Sequence, residues 1–153
     1  MKIIKGEIMD YLKNFSERLK ELITECNKSD EQIAEIVGVH RTTIGKYKSG
    51  KDFPSTDTFI KLADFFNCSS DYLLGRNDDF STTTFNTCPP FNEQLNFLLN
   101  KHKISKRALS KKSHIPESII YQWRDGIYKP TIANIIRLAE CFDCSVDSIL
   151  GRE

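Results

Sequence analysis

The stretch GVHRTTIGKYKSGKDFP, residues 38–54, is followed 76 positions later by HIPESIIYQWRDGIYKP, residues 114–130. In both stretches an isoleucine, a glycine and a proline fall at the same spacing, whereas the polar residues between them differ. Residues that pack a fold are therefore kept, and residues that face solvent are changed. The pair indicates one structural unit used twice, with two different surfaces.

The repeat extends well beyond these two stretches. Sliding the chain by 76 positions aligns residues 15–76 with residues 91–152 without insertion or deletion. The copies end on NCSSDYLLGR and DCSVDSILGR, which match almost letter for letter. Copies of about 62 residues are small but large enough to fold alone. The sequence therefore predicts two domains, at residues 10–76 and 91–153.

Two segments lie outside the copies. Residues 1–9 precede the repeat and are expected to form an N-terminal extension. Residues 77–90 are polar and threonine-rich and end in Pro-Pro, a composition typical of a linker. The large apolar residues of this linker are Phe80 and Phe85, and both are candidates to pack against a domain.

Each copy has the pattern of five helices. From Leu12 to Cys26 the apolar residues recur at steps of three and four, which is the spacing of one helix face. Ser29 and Gln32 form a capping box at the start of a second helix, and Gly50 suits the left-handed position that ends a third. The second copy repeats this plan, and no alternating strand pattern occurs. We expect an all-α fold of two tandem five-helix bundles.

Composition and charge exclude several classes of protein. Charged residues make up 28% and hydrophobic residues 39% of the chain, the balance of a globular protein. No apolar run approaches the ~20 residues that span a bilayer, so no membrane partner is expected. Five cysteines without a framework spacing suit a reducing compartment, and we expect a cytoplasmic location. The net charge of +1 identifies no partner, so the distribution of charge matters more than its sum.

The sequence offers no catalytic site. Cys141 and Cys144 form a CxxC that lacks a second pair of ligands, and we interpret them as packed thiols. The three histidines share no spacing with carboxylates, and no glycine-rich phosphate loop, HExxH or GxSxG occurs. We therefore expect no enzymatic activity, no cofactor and no metal.

Two short helices joined by a tight turn at Gly38 form the arrangement called helix-turn-helix. The second helix fits the major groove, where its first residues reach base edges while the preceding helix rests on the backbone. Residues 29–76 and 105–152 resemble the Cro and phage-repressor (XRE) family, in the lambda-repressor-like fold. In the first copy, the residues on the family's structural positions are Ala34, Gly38, Val39, Ile44, Gly50 and Pro54. The resemblance implies a sequence-specific regulator of transcription that binds double-stranded DNA and acts as a repressor.

Carried over onto this sequence, the resemblance implies that the third helix of the first copy reads DNA bases. Its base-reading positions are Arg41, Thr42 and Lys46. Arg41 presents a donor fork to guanine, Thr42 offers a hydroxyl and a methyl, and Lys46 lies one turn further along the same face. Contacts to the DNA backbone are implied for four further residues: His40, Thr43, Ser49 and Lys51.

One residue of the first copy departs from the family. Asp30 stands where the family often places a glutamine on a phosphate, and a carboxylate there repels the backbone. Positive charge nearby offsets it, because residues 40–51 contain four Lys and Arg and no acid.

The second copy changes the chemistry of the same positions. Its base-reading positions are Glu117, Ser118 and Gln122. Glu117 is suited to accept from cytosine and Gln122 to pair with adenine. Backbone contacts are expected from three residues of this copy: Lys106, Tyr121 and Arg124. Six basic residues cluster before and along its second helix: Lys101, Lys103, Lys106, Arg107, Lys111 and Lys112.

Two other hypotheses stay open for the second copy. It, or both copies, is a module that binds a protein partner, in the manner of an antitoxin or an anti-repressor. Glu117, Tyr121, Trp123 and Tyr128 favour that use. Alternatively, the second copy makes the protein a homodimer around a single DNA reader.

Overall fold

The computed structural model describes residues 5–80 and 84–153. It divides this part of the chain into two compact units, one before and one after the boundary between residues 83 and 84. Within the described residues there are ten α-helices and no strand. The predicted all-α fold of two tandem helix-turn-helix bundles is confirmed.

The first unit contains five helices. They are α1 (Lys5–Glu25), α2 (Asp30–Val37), α3 (Arg41–Lys48), α4 (Thr56–Phe65) and α5 (Ser70–Leu73). Helix α1 begins five residues before the domain boundary expected at residue 10. Residues 5–9, expected to belong to an N-terminal extension, are thus the first turns of this helix. Residues 1–4 of that extension lie outside the described residues.

The second unit repeats the order of the first. Its helices are α6 (Phe91–Lys101), α7 (Lys106–Ser113), α8 (Glu117–Arg124), α9 (Ile132–Phe142) and α10 (Val146–Leu150). Helices α3 and α8 occupy the position of the recognition helix in a helix-turn-helix unit, and we use that name for both.

Local side chains determine where these helices begin. In the predicted capping box, the Gln32 amide N–H donates to Ser29 Oγ at 3.2 Å and the Ser29 N–H donates to Gln32 Oε1 at 2.9 Å. Ser105 caps α7 in the same way, accepting from the Ala108 N–H at 3.1 Å. The turn after α2 needs a left-handed residue, and Gly38 provides it with φ of +76°.

Aromatic side chains fix each recognition helix to its domain core. Phe15 of α1 is fully buried. Its ring centroid lies 6.4 Å from that of Tyr47 in α3 and 5.8 Å from that of Phe59 in α4. In the second domain Trp123 of α8 is buried and meets Phe91 of α6 edge-on at 5.6 Å. Tyr47 and Trp123 therefore pack their helices against the cores, and Trp123 is too buried to contact a protein partner.

Each domain closes with an ion pair near the end of its last helix. Arg152 Nη1 lies 2.7 Å from Asp147 Oδ1, and both side chains are buried. At the matching place in the first domain, Arg76 Nη1 lies 2.8 Å from Asp71 Oδ1, and Arg76 is 16% exposed. The pair in the second domain is also covered by Phe85, whose ring centroid lies 4.0 Å from the Arg152 guanidinium carbon.

The segment expected to be a linker, residues 77–90, is largely attached to the two domains. On the first side, Asp78 forms an ion pair with Arg18, and the Phe80 ring lies 4.9 Å from that of Tyr72. On the second side, the Asn86 N–H donates to the carbonyl oxygen of Arg152 at 2.7 Å. Residues 81–83 lie outside the described residues. Phe80 and Phe85, named from the sequence as candidates to pack against a domain, both do so.

We expect Arg152→Met to destabilise the second domain by about 3–5 kcal/mol, because a buried carboxylate then loses its ion-pair partner. Urea unfolding followed by Trp123 fluorescence measures this directly, since the chain has one tryptophan and it lies in the second domain. Arg76→Met is the matched control, and it should leave the Trp123 transition in place. An unchanged transition in Arg152→Met would show that the pair does not hold the domain together.

Candidate nucleic-acid interface

The first recognition helix begins with a cap that sequence patterns did not reveal. His40 precedes α3, and its Nδ1 accepts from the Thr42 N–H at 3.2 Å. The same nitrogen lies 2.9 Å from Thr42 Oγ1. His40 therefore satisfies a free amide at the start of α3 and orients Thr42. Both His40 and Thr42 are predicted to contact DNA.

The predicted DNA-binding residues of the first domain share the outer side of α3. Six of them are exposed to solvent: His40, Arg41, Thr42, Lys46, Ser49 and Lys51. Thr43 is half-buried. Within the parts of the chain that the structure describes, no carboxylate lies in salt-bridge distance of Arg41, Lys46 or Lys51. Their three positive charges are available to an external anion.

Asp30 has a partner on the recognition helix. Lys48 Nζ lies 3.1 Å from both carboxylate oxygens of Asp30, so the pair joins the end of α3 to the start of α2. The pair neutralises the carboxylate that stands at the family's phosphate position. It also removes Lys48 from the positive charges that face outward, so three rather than four remain between residues 40 and 51.

The end of α3 is tied back to α1. Ser16 Oγ donates to the Lys48 carbonyl oxygen at 2.6 Å, and Ser49 Oγ donates to the Lys46 carbonyl oxygen at 2.8 Å. These bonds satisfy two carbonyl groups at the helix C-terminus. The Ser49 hydroxyl retains its lone pairs for an external donor.

Gly45 is a residue whose role the sequence analysis missed. It lies one turn after Arg41 on the outer face of α3, and a Cβ built there has nothing within 4 Å. Neither packing nor a positive φ requires glycine at this position, although glycine in a helix interior costs about 0.5–1 kcal/mol relative to alanine. Glycine there lets another molecule approach the helix backbone closely. An isolated glycine inside a helical pattern was the signal available in the sequence.

The second recognition helix satisfies most of its polar groups internally. The Tyr121 hydroxyl donates to Glu117 Oε1 at 3.2 Å. Arg124 Nε donates to Asp125 Oδ1 at 2.7 Å, and the Arg124 guanidinium carbon lies 4.5 Å from the Tyr121 ring centroid. Hydrogen bonds from Arg124 lower the pKa of Asp125, and the nearby Lys106 adds to that effect. Tyr121 occupies the position of Gly45 in the first domain.

The predicted DNA-binding residues of the second domain lie on α8, apart from Lys106, which is the first residue of α7. Ser118, Tyr121 and Arg124 are exposed, whereas Glu117, Gln122 and Lys106 are half-buried. Their roles in binding DNA stay predictions.

Charge is distributed in opposite ways in the two domains. Residues 5–83 contain eleven Lys and Arg against fourteen Asp and Glu, and residues 84–153 contain ten against seven. In the acidic first domain the recognition helix carries three basic residues and no acidic residue. In the basic second domain it lies on α7 and the turn before it. There, burial and the charges of Lys101 and Lys112 lower the pKa of His102.

Two other kinds of feature, a metal-binding cluster and a membrane-spanning helix, are absent from the described residues. There, no group of three or more His, Cys, Asp or Glu side chains is placed to hold a metal ion. Over the same residues, no helix combines the length and apolar content needed to cross a bilayer. Cys141 is buried and Cys144 is half-buried, and neither is in a disulfide.

Comparison with known families identifies the class of the protein. The sequence model of the helix-turn-helix family matches residues 19–73 and again residues 96–149, which together make up more than two thirds of the chain. The chain belongs to this family, in its Cro and phage-repressor (XRE) type, and carries the domain twice. The family consists of regulators rather than enzymes, in agreement with the sequence analysis.

Three relatives show the range of proteins that this chain is similar to. It is 40% identical to the HTH-type transcriptional activator BcrR of Enterococcus faecalis over 39% of this chain and 29% of the relative. It is 38% identical to the uncharacterised SPbeta prophage-derived HTH-type transcriptional regulator YonR of Bacillus subtilis, over 39% and 56%. It is 37% identical to the cryptic phage CTXphi transcriptional repressor RstR of Vibrio cholerae, over 39% and 54%.

The matches cover only part of each relative. The aligned part of the chain spans 29% to 56% of the length of these relatives. No solved structure gives a significant match.

We expect His40→Ala to destabilise the start of α3 by about 0.5–2 kcal/mol, because the N-cap acceptor for the Thr42 amide is lost. Hydrogen exchange of the Thr42 and Thr43 amides, measured by NMR, reports this change. His40→Asn is the matched control, since asparagine is a good N-cap residue and should retain slow exchange. Equal exchange rates in His40→Ala and the parent protein would mean that His40 is not the cap.

Proposed function

We propose that this protein is a sequence-specific, double-stranded DNA-binding regulator of transcription, located in the cytoplasm, that acts as a repressor by occupying its operator. In this proposal the first domain inserts α3 into the major groove. Arg41, Thr42 and Lys46 contact base edges, and the residues that contact the backbone are His40, Thr43, Ser49 and Lys51.

The observation that supports this proposal most strongly is the set of free cations on α3. Arg41, Lys46 and Lys51 are exposed and have no carboxylate partner among the described residues, whereas Lys48 is paired with Asp30. A guanidinium and an ammonium group on α3, with a second ammonium group just after the helix, match the phosphates and guanine edges of a major groove.

The backbone of α3 supports the same conclusion. Gly45 lies next to the proposed base-reading residue Lys46 and one turn after Arg41, and it leaves the helix surface open. A helix that must enter a groove about 12 Å wide gains from such an opening, because its axis can approach the bases more closely.

Arg41→Ala should weaken binding to the preferred site by roughly 1–3 kcal/mol and relax the preference at one base position, because a bidentate contact to guanine is lost. Selection from random duplexes by the full chain, with and without the substitution, measures both effects. Lys51→Ala is the comparison variant, and it should weaken all sequences alike and reduce the salt slope by about one. If both variants lose affinity uniformly with no change in preferred sequence, Arg41 is not a base-reading residue.

Gly45→Ala should stabilise the first domain by about 0.5–1 kcal/mol and still weaken DNA binding, because a methyl group then stands between the α3 backbone and the groove. Gly45→Tyr, which introduces the side chain that the second domain has here, should abolish specific binding. Thermal unfolding and duplex titration of the same samples separate the two effects. Gain of stability with unaltered affinity would show that α3 does not approach DNA at this point.

A second candidate function concerns the second domain alone. Ile127 and Tyr128, which follow α8, are 61% and 62% exposed, and they replace Lys51 and Asp52 of the first domain. Exposed apolar residues beside a recognition helix favour contact with a protein, either a separate partner or a second copy of the chain in a homodimer. The mass of the free protein and of its DNA complex in solution distinguishes a monomer from a dimer.

A further inference from the structure

The second domain contains a long segment that has basic residues and no acidic ones. From residue 94 to residue 116 there are six Lys and Arg and no Asp or Glu. The matching residues 18–40 of the first domain contain three basic and five acidic residues. The two copies share their packing residues, so this difference lies in the surface that each presents.

The basic side chains on α7 are at least partly exposed, although Lys106 lies near enough to Asp125 to lower the pKa of that carboxyl. Arg107, Lys111 and Lys112 are exposed and Lys106 is half-buried. Across the two described stretches of the chain, none of the four has a carboxylate within salt-bridge distance. Lys106 and Arg107 also line an open groove of about 380 Å³, together with Asn96, Asn100 and Tyr121. Cations and amides of this kind donate to phosphate oxygens.

The recognition helix of the same domain lacks the features that make α3 suited to base contacts. Glu117 accepts from Tyr121, and Arg124 is held by Asp125, so these polar groups are already partnered. Tyr121 covers the surface that Gly45 leaves open in the first domain. A helix covered at this point cannot approach a groove in the way that α3 can.

Resting on the function proposed for the first domain, we propose that the second domain binds the sugar-phosphate backbone of duplex DNA through α7 and does not read bases. Lys106, Arg107 and Lys111 donate to phosphates, while α8 stays outside close contact with base edges. The second domain then adds affinity and salt dependence to the complex but no sequence preference, because phosphate contacts carry no base information. Since it is tethered to the first domain, even weak contacts contribute to the affinity of the whole chain.

The test compares two full-length variants with equal loss of charge. One is Lys106→Gln/Arg107→Gln/Lys111→Gln, and the matched control removes three exposed lysines of the first domain: Lys13→Gln/Lys20→Gln/Lys61→Gln. Dissociation constants are measured between 50 and 200 mM salt, on the selected site and on an unrelated duplex. Trp123 fluorescence in urea confirms that the α7 variant is folded.

In the α7 variant the slope of log affinity against log salt should become shallower by about three, because each lost phosphate contact contributes roughly 0.9. Its affinity should fall roughly tenfold or more on both duplexes. The control should retain the parent slope. Equal slopes in both variants would overturn the proposal and leave the basic face to an acidic protein partner.

A further full-length variant, Glu117→Ala/Gln122→Ala, tests the second half of the proposal. Selection from random duplexes should return the parent sequence, and an altered preference at any position would overturn the claim that α8 reads no bases. Failure of the function proposed for the first domain would be seen separately. The parent chain would then select no preferred duplex, or Arg41→Ala would leave the preferred sequence unchanged.

Discussion

The structure depends on one contact that is made once in each domain, between an aromatic residue of the recognition helix and the first helix of the bundle. Tyr47 meets Phe15, and Trp123 meets Phe91. Because a helix has one inner face, this contact fixes its rotation and so decides which residues face outward. Arg41 and Gly45 in α3, and Tyr121 at the matching position of Gly45 in α8, are exposed as a consequence.

This separation of inner and outer faces explains how two copies with one fold carry different chemistry. In the first domain α3 has basic residues and no acid, and α2 is acidic; in the second domain α7 is basic, and the acid Glu117 is on α8. Substitutions on the outer faces leave the core undisturbed, since surface changes rarely alter stability by more than about 0.5 kcal/mol. Two domains with one architecture are therefore free to contact different parts of a ligand.

Much of the fold could be predicted because its signals are local. The capping box of Ser29 and Gln32 spans four residues, and Gly38 ends a helix through its own backbone conformation. The pair of Lys48 and Asp30 joins residues 18 positions apart, and the contact of Arg18 with Asp78 joins residues 60 apart. Such contacts depend on how helices pack, which a single sequence does not specify. The polar contacts at both ends of the expected linker were missed for this reason, whereas Phe80 and Phe85 had been named as candidates to pack against a domain.

The opposite charges of the two halves have a consequence for the free protein in solution. The chain as a whole carries a formal charge of only +1, so its molecules repel one another weakly near neutral pH. Unlike patches on different molecules attract each other when ionic strength is low, and dissolved salt screens that attraction within about 10 Å at 0.1 M. Solubility should therefore rise with moderate salt. The ionic conditions that keep the free protein dispersed are also those that weaken its hold on an anionic ligand.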